Sequence, residues 1–117
     1  MSSLTYSAIP GGGSPGQLFL NYTYVDHGMS PYTVLDTDAF LGCDTSTGTI
    51  TILLPDSPTS GETYFIKDIA GQAFTSNITV TTVGGTDTID GLTSQTMNTA
   101  FQCLDVLYNG SGQYLTF

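Results

Sequence analysis

The chain has 117 residues, of which 39% are hydrophobic, so it has room for one domain with one modest core. One basic residue, Lys67, stands against ten acidic residues, which gives a formal net charge of −9. A single cation cannot neutralise a run of phosphates or bind an anionic membrane surface. The composition therefore argues against nucleic acid and membranes as partners.

The polar residues are of a kind that favours strands. Charged residues make up only 9% of the sequence, whereas seven Tyr and six Phe are dispersed along it, which is typical of a folded chain. Thr suits an exposed pleated surface, and Lys and Glu, which suit exposed helices, are nearly absent. The composition therefore predicts an all-β fold.

The N-terminal sequence and the hydropathy pattern predict where the protein is made. No stretch approaches the roughly 18 apolar residues of a membrane span. The N-terminus lacks the basic and apolar regions of a signal peptide. We therefore expect synthesis in a cytoplasm, with any later location outside a cell reached by lysis or in a particle.

The two cysteines, Cys43 and Cys103, are too few for a disulfide scaffold and lack metal-ligand spacing. Both lie in apolar runs, which favours two buried free thiols. A disulfide between adjacent strands is the alternative.

Residues 1–17 are predicted to form an extended arm, and residues 18–117 a single all-β domain. Leu4 and Tyr6 alternate with polar residues as in an edge strand, and a run of Pro and Gly then breaks regular structure. We expect the arm to dock on a neighbouring molecule, with Leu4, Tyr6 and Ile9 making the attachment.

Short strands and turns fill the first part of the domain. Period-2 alternation predicts strands at 18–24, 32–35 and 39–43. Turns rich in Asp, Gly and Pro separate these strands.

The stretch 48–68 is the organising segment, and it reads as two strands around a Pro-rich turn. Ile50, Ile52 and Leu54 alternate with Thr49, Thr51 and Leu53, as in a half-buried strand. Two prolines then end the pairing. Tyr64 and Ile66 share one face of the second strand.

The last part of the domain predicts further hairpins. Residues 77–83 form a clear strand, and the Gly-Gly pair that follows predicts a hairpin turn. Residues 101–108 form the longest apolar strand, and the Asn-Gly pair after it is the strongest hairpin signal in the chain. The side chains expected to contact the core or another subunit are Ile50, Ile52, Leu54, Tyr64, Ile66, Ile78, Val80, Phe101, Leu104 and Val106.

Several of these motifs resemble a β-domain that recurs in bacteriophage virion proteins, namely tail fibres, head fibres and capsid decorations. The likeness covers roughly residues 32–117, and one departure is the absence of the Trp that the family often has in its last strand, near Tyr114. The motifs are Tyr-Thr-Val at 32–34, Asp-Thr-Ser-Thr-Gly at 44–48, Leu-Pro at 54–55, Ser-Pro-Thr-Ser-Gly at 57–61, Phe-Ile-Lys-Asp at 65–68, Asn-Ile-Thr-Val at 77–80, Thr-Ile-Asp-Gly at 88–91 and Tyr-Asn-Gly-Ser-Gly at 108–112.

The resemblance implies a homotrimer on the outside of a virion, bound to the major capsid protein or another virion protein. The expected fold is a two-sheet sandwich or prism of short antiparallel strands with an extended N-terminal arm. Strands that are apolar on both faces agree with self-association, because a short chain cannot cover all of them alone. A monomeric sandwich is the alternative.

The sequence offers little chemistry for catalysis. His27 stands beside an Asp in a turn, without the motif of a hydrolase, and we expect a turn residue rather than a base or metal ligand. The Asp pairs at 36/38 and 87/90 lack the EF-hand pattern and suit Asx turns, although a cation on a symmetry axis would leave no motif. We therefore expect no enzyme, cofactor or metal.

Two other functions remain open as alternatives. Exposed Tyr residues can stack on sugars. A receptor-binding fibre tip that recognises host glycans, or a cellular carbohydrate-binding module, would use them in that way.

Overall fold

Strands form the regular structure of residues 19–117, which are the residues that the computed structural model describes, and no α-helix occurs among them. The predicted arm, with Leu4, Tyr6 and Ile9, lies outside the described residues. The strands are β1 (Tyr22–Asp26), β2 (Tyr32–Thr33), β3 (Phe40–Asp44), β4 (Ile50–Leu54), β5 (Thr63–Asp68), β6 (Ile78–Thr82), β7 (Thr88–Ile89), β8 (Ser94–Met97), β9 (Cys103–Tyr108) and β10 (Gln113–Thr116).

The strands form two sheets. The larger has six strands in the order β1-β3-β5-β9-β10-β7, and the smaller has four in the order β2-β4-β6-β8. Short 3-10 turns at His27–Met29 and Thr45–Thr47 follow β1 and β3. Asp26 and Asp44 cap these turns through their side chains, as the Asp-rich turn sequences predicted.

The first six strands wind as a flattened solenoid of three coils. Odd-numbered strands enter the six-stranded sheet and even-numbered strands enter the four-stranded sheet. Each strand is parallel to its neighbour from the previous coil. Parallel strands need a long crossover, and here the strand in the opposite sheet provides it. The all-β prediction is therefore confirmed, but the prediction of purely antiparallel strands is wrong, because both sheets are mixed.

Two predicted hairpins are also wrong for the same reason. The strands of the organising segment, β4 and β5, lie in different sheets, so the Pro-rich turn carries the chain across the sandwich. The Gly-Gly turn likewise joins β6 to β7 in the opposite sheet. The Asn-Gly hairpin is confirmed, since β9 and β10 pair antiparallel and Gly110 adopts a φ of 83° in the turn.

The core lies between the two sheets. In β4 the burial alternates residue by residue, and the same is true of β6. Leu104 is partly buried against the core, while Phe101 lies outside it, 57% exposed, in a turn with a φ of 61°. The predicted contact residues that are fully buried in the core are Ile50, Ile52, Leu54, Tyr64, Ile66, Ile78, Val80 and Val106.

The two cysteines are free, but only Cys43 is buried. Cys103 is exposed because it lies on the outward-facing side of β9. The prediction of two buried thiols is therefore wrong for Cys103.

Candidate functional site

An aromatic row crosses the outer face of the six-stranded sheet. Leu41 and Ile66 point into the core, so their strand neighbours Phe40 and Phe65 point outward. The strand register aligns Phe40 with Tyr22 on one side and Phe65 on the other. The row consists of Tyr22, Phe40, Phe65 and Phe117.

The rings of the row contact one another in sequence. The ring centroids of Tyr22 and Phe40 lie 6.0 Å apart, and those of Phe40 and Phe65 lie 6.3 Å apart, both stacked. Phe117 meets Phe65 edge-on at 6.1 Å. Cross-strand aromatic pairs of this kind stabilise a sheet. A side chain at Gly42 would clash with the Tyr22 ring, which lies across that glycine.

The ends of the aromatic row are open to solvent. Phe65 is 7% exposed, whereas Tyr22 at the sheet edge is 59% exposed. Tyr24, Leu115 and Phe117 are also exposed. Exposed apolar side chains that lie together on one face are a candidate interaction surface. We call the surface formed by the aromatic row, Tyr24 and Leu115 the outer face.

Two polar side chains beside the outer face, those of Tyr24 and Lys67, are hydrogen-bonded within the chain. The Tyr24 hydroxyl donates to Asp44 at 2.6 Å, and this bond, followed by burial, raises the pKa of Tyr24 to about 12. Lys67 donates to the Phe101 carbonyl and lies 5.8 Å from the centroid of that ring. The single basic side chain is thus held against Phe101.

Strand β1 is one edge of the six-stranded sheet, and its outer side has no partner strand within residues 19–117. Phe19 and Leu20, which lead into it, are exposed. An open edge beside exposed apolar side chains can pair with another chain. The described chain therefore begins beside the outer face.

Asp68 is a buried structural carboxylate. It accepts hydrogen bonds from the Thr45 hydroxyl at 2.8 Å and from the backbone amides of Ala70, Gly71, Ala73 and Phe101 at 3.0–3.2 Å. Burial acts to raise the pKa of Asp68, but the hydrogen bonds outweigh it and hold the pKa below its usual value. This carboxylate fixes the loop after β5 and the turn before β9.

In the acidic pairs considered as cation ligands, Asp38 and Asp87 each accept hydrogen bonds from other parts of the chain. Asp38 accepts hydrogen bonds from the Thr23 and Tyr32 hydroxyls and from the Leu35 amide. Asp87 accepts one from the Ser57 amide. Within residues 19–117, no three His, Cys, Asp or Glu side chains are grouped as a metal site.

The single histidine lies in a turn. His27 Nδ1 lies 2.5 Å from the Thr49 carbonyl oxygen, and no carboxylate among the described residues is hydrogen-bonded to the ring. Its surroundings are those of a turn residue that joins two coils.

A cavity of about 430 Å³ opens beside the crossings that follow β2 and β4. Its walls include the carboxylates of Asp36 and Glu62 and the ring of Tyr64. The Tyr64 hydroxyl is buried and has no hydrogen-bond partner in the described part of the chain. Sequence reasoning missed this cavity because Asp36 is far in sequence from Glu62 and Tyr64, and the three form no motif.

Among residues 19–117, no helix has the length and apolarity needed to cross a membrane. No protein-family model matches the chain, and no curated protein sequence matches it.

Proposed function

We propose that the protein is a non-enzymatic structural protein on the exterior of a tailed bacteriophage virion. It acts there as a homotrimeric capsid decoration or head-fibre protein that residues 1–17 anchor to the major capsid protein or another virion protein. The observation that carries the proposal is the outer face, where several exposed apolar side chains lie side by side on one sheet of an acidic domain.

The outer face supports self-association on energetic grounds. Each Å² of apolar surface removed from water contributes about 25 cal/mol, so leaving Tyr22, Leu115 and Phe117 in water forgoes several kcal/mol. A second copy is a suitable cover for the four uncharged rings of the aromatic row, and it must also accommodate the carboxylates of Asp44 and Asp105 on the same side of the sheet. The number three comes from the resemblance to the virion β-domain.

The position of β1 supports the role of the arm. The described chain enters the domain at the open edge of the six-stranded sheet. An arm that leaves at an edge can add a strand to a neighbouring sheet by backbone hydrogen bonds. Attachment and subunit contact would then occur on adjacent parts of one surface.

Sedimentation equilibrium tests the oligomer. The full chain should sediment as a trimer, and Leu115→Asp should shift it to monomer, because an unpaired buried carboxylate costs several kcal/mol. Val83→Asp is the matched control, since Val83 is 52% exposed but follows β6 in the other sheet. A wild-type monomer, or equal effects of the two substitutions, would contradict the proposed interface.

Labelling tests the location and the arm. Gold-labelled protein should decorate the outside of phage particles in electron micrographs. Deletion of residues 1–16 should abolish this attachment and leave the circular dichroism spectrum of the β-domain unchanged. Decoration of particles by the truncated chain would show that the arm does not anchor the protein.

A receptor-binding role is the second candidate, and the exposure of Tyr22 and Tyr24 favours it. Exposed tyrosine rings can stack on the apolar faces of sugars. A glycan array should then give a signal that Tyr22→Ala abolishes. An array without signal would contradict the receptor-binding role and leave the structural role as the remaining candidate.

A further inference from the structure

The open edge of β1 lacks the usual protection of an edge strand. Natural edge strands carry charged side chains, proline or a bulge, or lie beneath a covering segment. Residues 19–25 contain no proline and no charged side chain. The exposed apolar side chains of this stretch are those of Phe19, Leu20, Tyr22 and Tyr24. An uncharged, apolar edge of this kind pairs with other chains unless a segment covers it.

The backbone of β1 presents hydrogen-bonding groups on its open side. The Asn21 carbonyl accepts from the Phe40 amide at 2.9 Å, and the backbone groups of successive strand residues point to opposite sides. Thr23 therefore faces β3 together with Asn21. The N–H and C=O groups of Tyr22 and Tyr24 point to the open side, where the described chain provides no partner strand. The edge can thus accept one further strand through four backbone hydrogen bonds.

The spacing of the first coil identifies a segment that fits this edge. Tyr22 of β1 and Phe40 of β3 are register partners and lie 18 residues apart. The same step towards the N-terminus leads from Tyr22 to Leu4. Two short motifs recur in the same order in both segments: Thr-Tyr at 5–6 and 23–24, and Ser-Pro at 14–15 and 30–31. The sequence thus repeats the pattern of β1 one coil before β1.

The connection between this repeat and β1 has the length of a coil. β1 ends at Asp26 and β3 begins at Phe40, so 13 residues, 27–39, carry the chain to the opposite sheet and back. Thirteen residues, 9–21, also separate residues 4–8 from the start of β1. Fully extended they reach about 40 Å, which exceeds the roughly 17 Å return along a five-residue strand. Residues 4–8 can therefore lie beside β1 of their own chain.

We propose that residues 4–8 of the same chain pair with the open edge of β1 as a further parallel strand. In this register Leu4 and Tyr6 continue the outer face, because they fall on the side of the sheet that carries the aromatic row. The intervening residues, Thr5 and Ser7, are polar. Polar residues suit the last strand of a solenoid, whose outer end must be soluble.

The charge distribution favours this segment as the occupant of the edge. All ten acidic residues lie between Asp26 and Asp105, so residues 1–25 carry no charged side chain. An uncharged strand adds no repulsion when it binds to a domain with a formal net charge of −9. The segment is therefore compatible with the edge in charge as well as in length.

Pairing with β1 describes the protein before it attaches to another molecule, and it does not depend on the virion role. An arm paired in this way shields the edge of a free subunit from other chains. Where the arm also anchors the protein, it must first leave β1, so strand exchange precedes attachment.

Amide hydrogen exchange in the full ¹⁵N-labelled chain tests the pairing. In this register the Thr5 amide donates to β1, so Thr5→Pro removes a hydrogen bond of the ladder and disfavours the strand. The amides of Tyr22 and Tyr24 should exchange about tenfold or more faster in Thr5→Pro than in the unaltered chain. The amide of Thr23 faces β3 and should stay protected in both proteins.

Gly12→Pro is the matched control, because it places the same residue in the connection, outside residues 4–8. It should leave the exchange of the Tyr22 and Tyr24 amides unchanged. Exchange of these amides in the unaltered chain that is as fast as in Thr5→Pro would overturn the proposal. Equal acceleration by the two proline substitutions would also overturn it.

Mixed isotope labelling distinguishes the same chain from a second copy. In a uniformly labelled sample, NOE contacts should join residues 4–8 to Tyr22 and Tyr24. In an equal mixture of labelled and unlabelled chains, isotope-filtered spectra should show no such contact between molecules. Contacts between molecules would assign the strand to a neighbouring copy and contradict pairing within one chain. Both measurements use the protein without phage particles, so their failure is separate from a failure of the virion role.

Discussion

The Asp68 carboxylate and the Tyr64 hydroxyl both lie fully buried near β5, but their surroundings differ. Asp68 accepts five hydrogen bonds. Tyr64 has none from its hydroxyl within the described chain. A polar group that fixes a loop is surrounded by partners, whereas a buried polar group without partners lowers stability. The difference separates a group that stabilises the fold from one that weakens it in the same small core.

The largest effect is expected at Asp68. Replacement Asp68→Ala leaves four backbone amides and the Thr45 hydroxyl without their acceptor, so the free energy of unfolding should fall by about 3 kcal/mol or more. Urea unfolding measures the change. Asp105→Ala, on the exposed side of β9, is the control and should cost about 0.5 kcal/mol. A small loss in the free energy of unfolding for Asp68→Ala would show that the five hydrogen bonds of Asp68 contribute little to stability.

The same carboxylate should make stability depend on acid pH. Its pKa in the folded protein lies below the ordinary unfolded value of about 4, so its stabilising contribution is present above that value. The contribution is lost as the pH falls from about 4 through the lower folded pKa. Asp68→Asn should flatten this acid limb in urea unfolding curves measured at each pH. An unchanged limb would contradict the proposed role of the hydrogen bonds.

A smaller effect is expected at Tyr114, which is the partnered counterpart of Tyr64. The two rings are 6.5 Å apart, and Tyr114 donates to the Pro55 carbonyl. Tyr114→Phe leaves that carbonyl without its donor and should lower the free energy of unfolding by about 1.5 kcal/mol. Thermal and urea unfolding both measure the loss.

The smallest effect, with the opposite sign, is expected for Tyr64→Phe. The substitution removes a buried hydroxyl that makes no hydrogen bond, so stability should be unchanged or rise by up to about 1 kcal/mol. The two tyrosine variants are compared in the same unfolding experiment. Equal losses in Tyr64→Phe and Tyr114→Phe would show that the Tyr64 hydroxyl is bonded in solution and would end the contrast with Asp68.

The sequence predicts the strands and their faces well, because side-chain alternation reports both directly. The alternating Ile and Thr residues of β4 and β6 correctly place Ile52 and Val80 in the core. The Asn-Gly pair correctly predicts the last hairpin, because it favours one turn type whose geometry requires the two strands to pair.

The pairing of the other strands could not be predicted from side-chain alternation or turn residues. Pro and Gly residues mark where a strand ends, but they do not determine whether the next strand pairs with it or crosses to another sheet. The Pro-rich loop after β4 therefore did not indicate that the chain crosses to the other sheet and winds in parallel coils. The outer face was foreseen only as apolar residues on both faces of the strands. The cavity was not foreseen, because Asp36 meets Glu62 and Tyr64 only after the chain has crossed between the sheets.

The winding of the chain between two sheets also determines how the domain can change in size. Each coil adds one strand to each sheet and therefore extends the body by about 4.8 Å. Inserting a whole coil between β3 and β6 would preserve the open edge at β1 and the antiparallel hairpin at the other end. The length of the body can thus be altered in fixed increments, without redesign of either end.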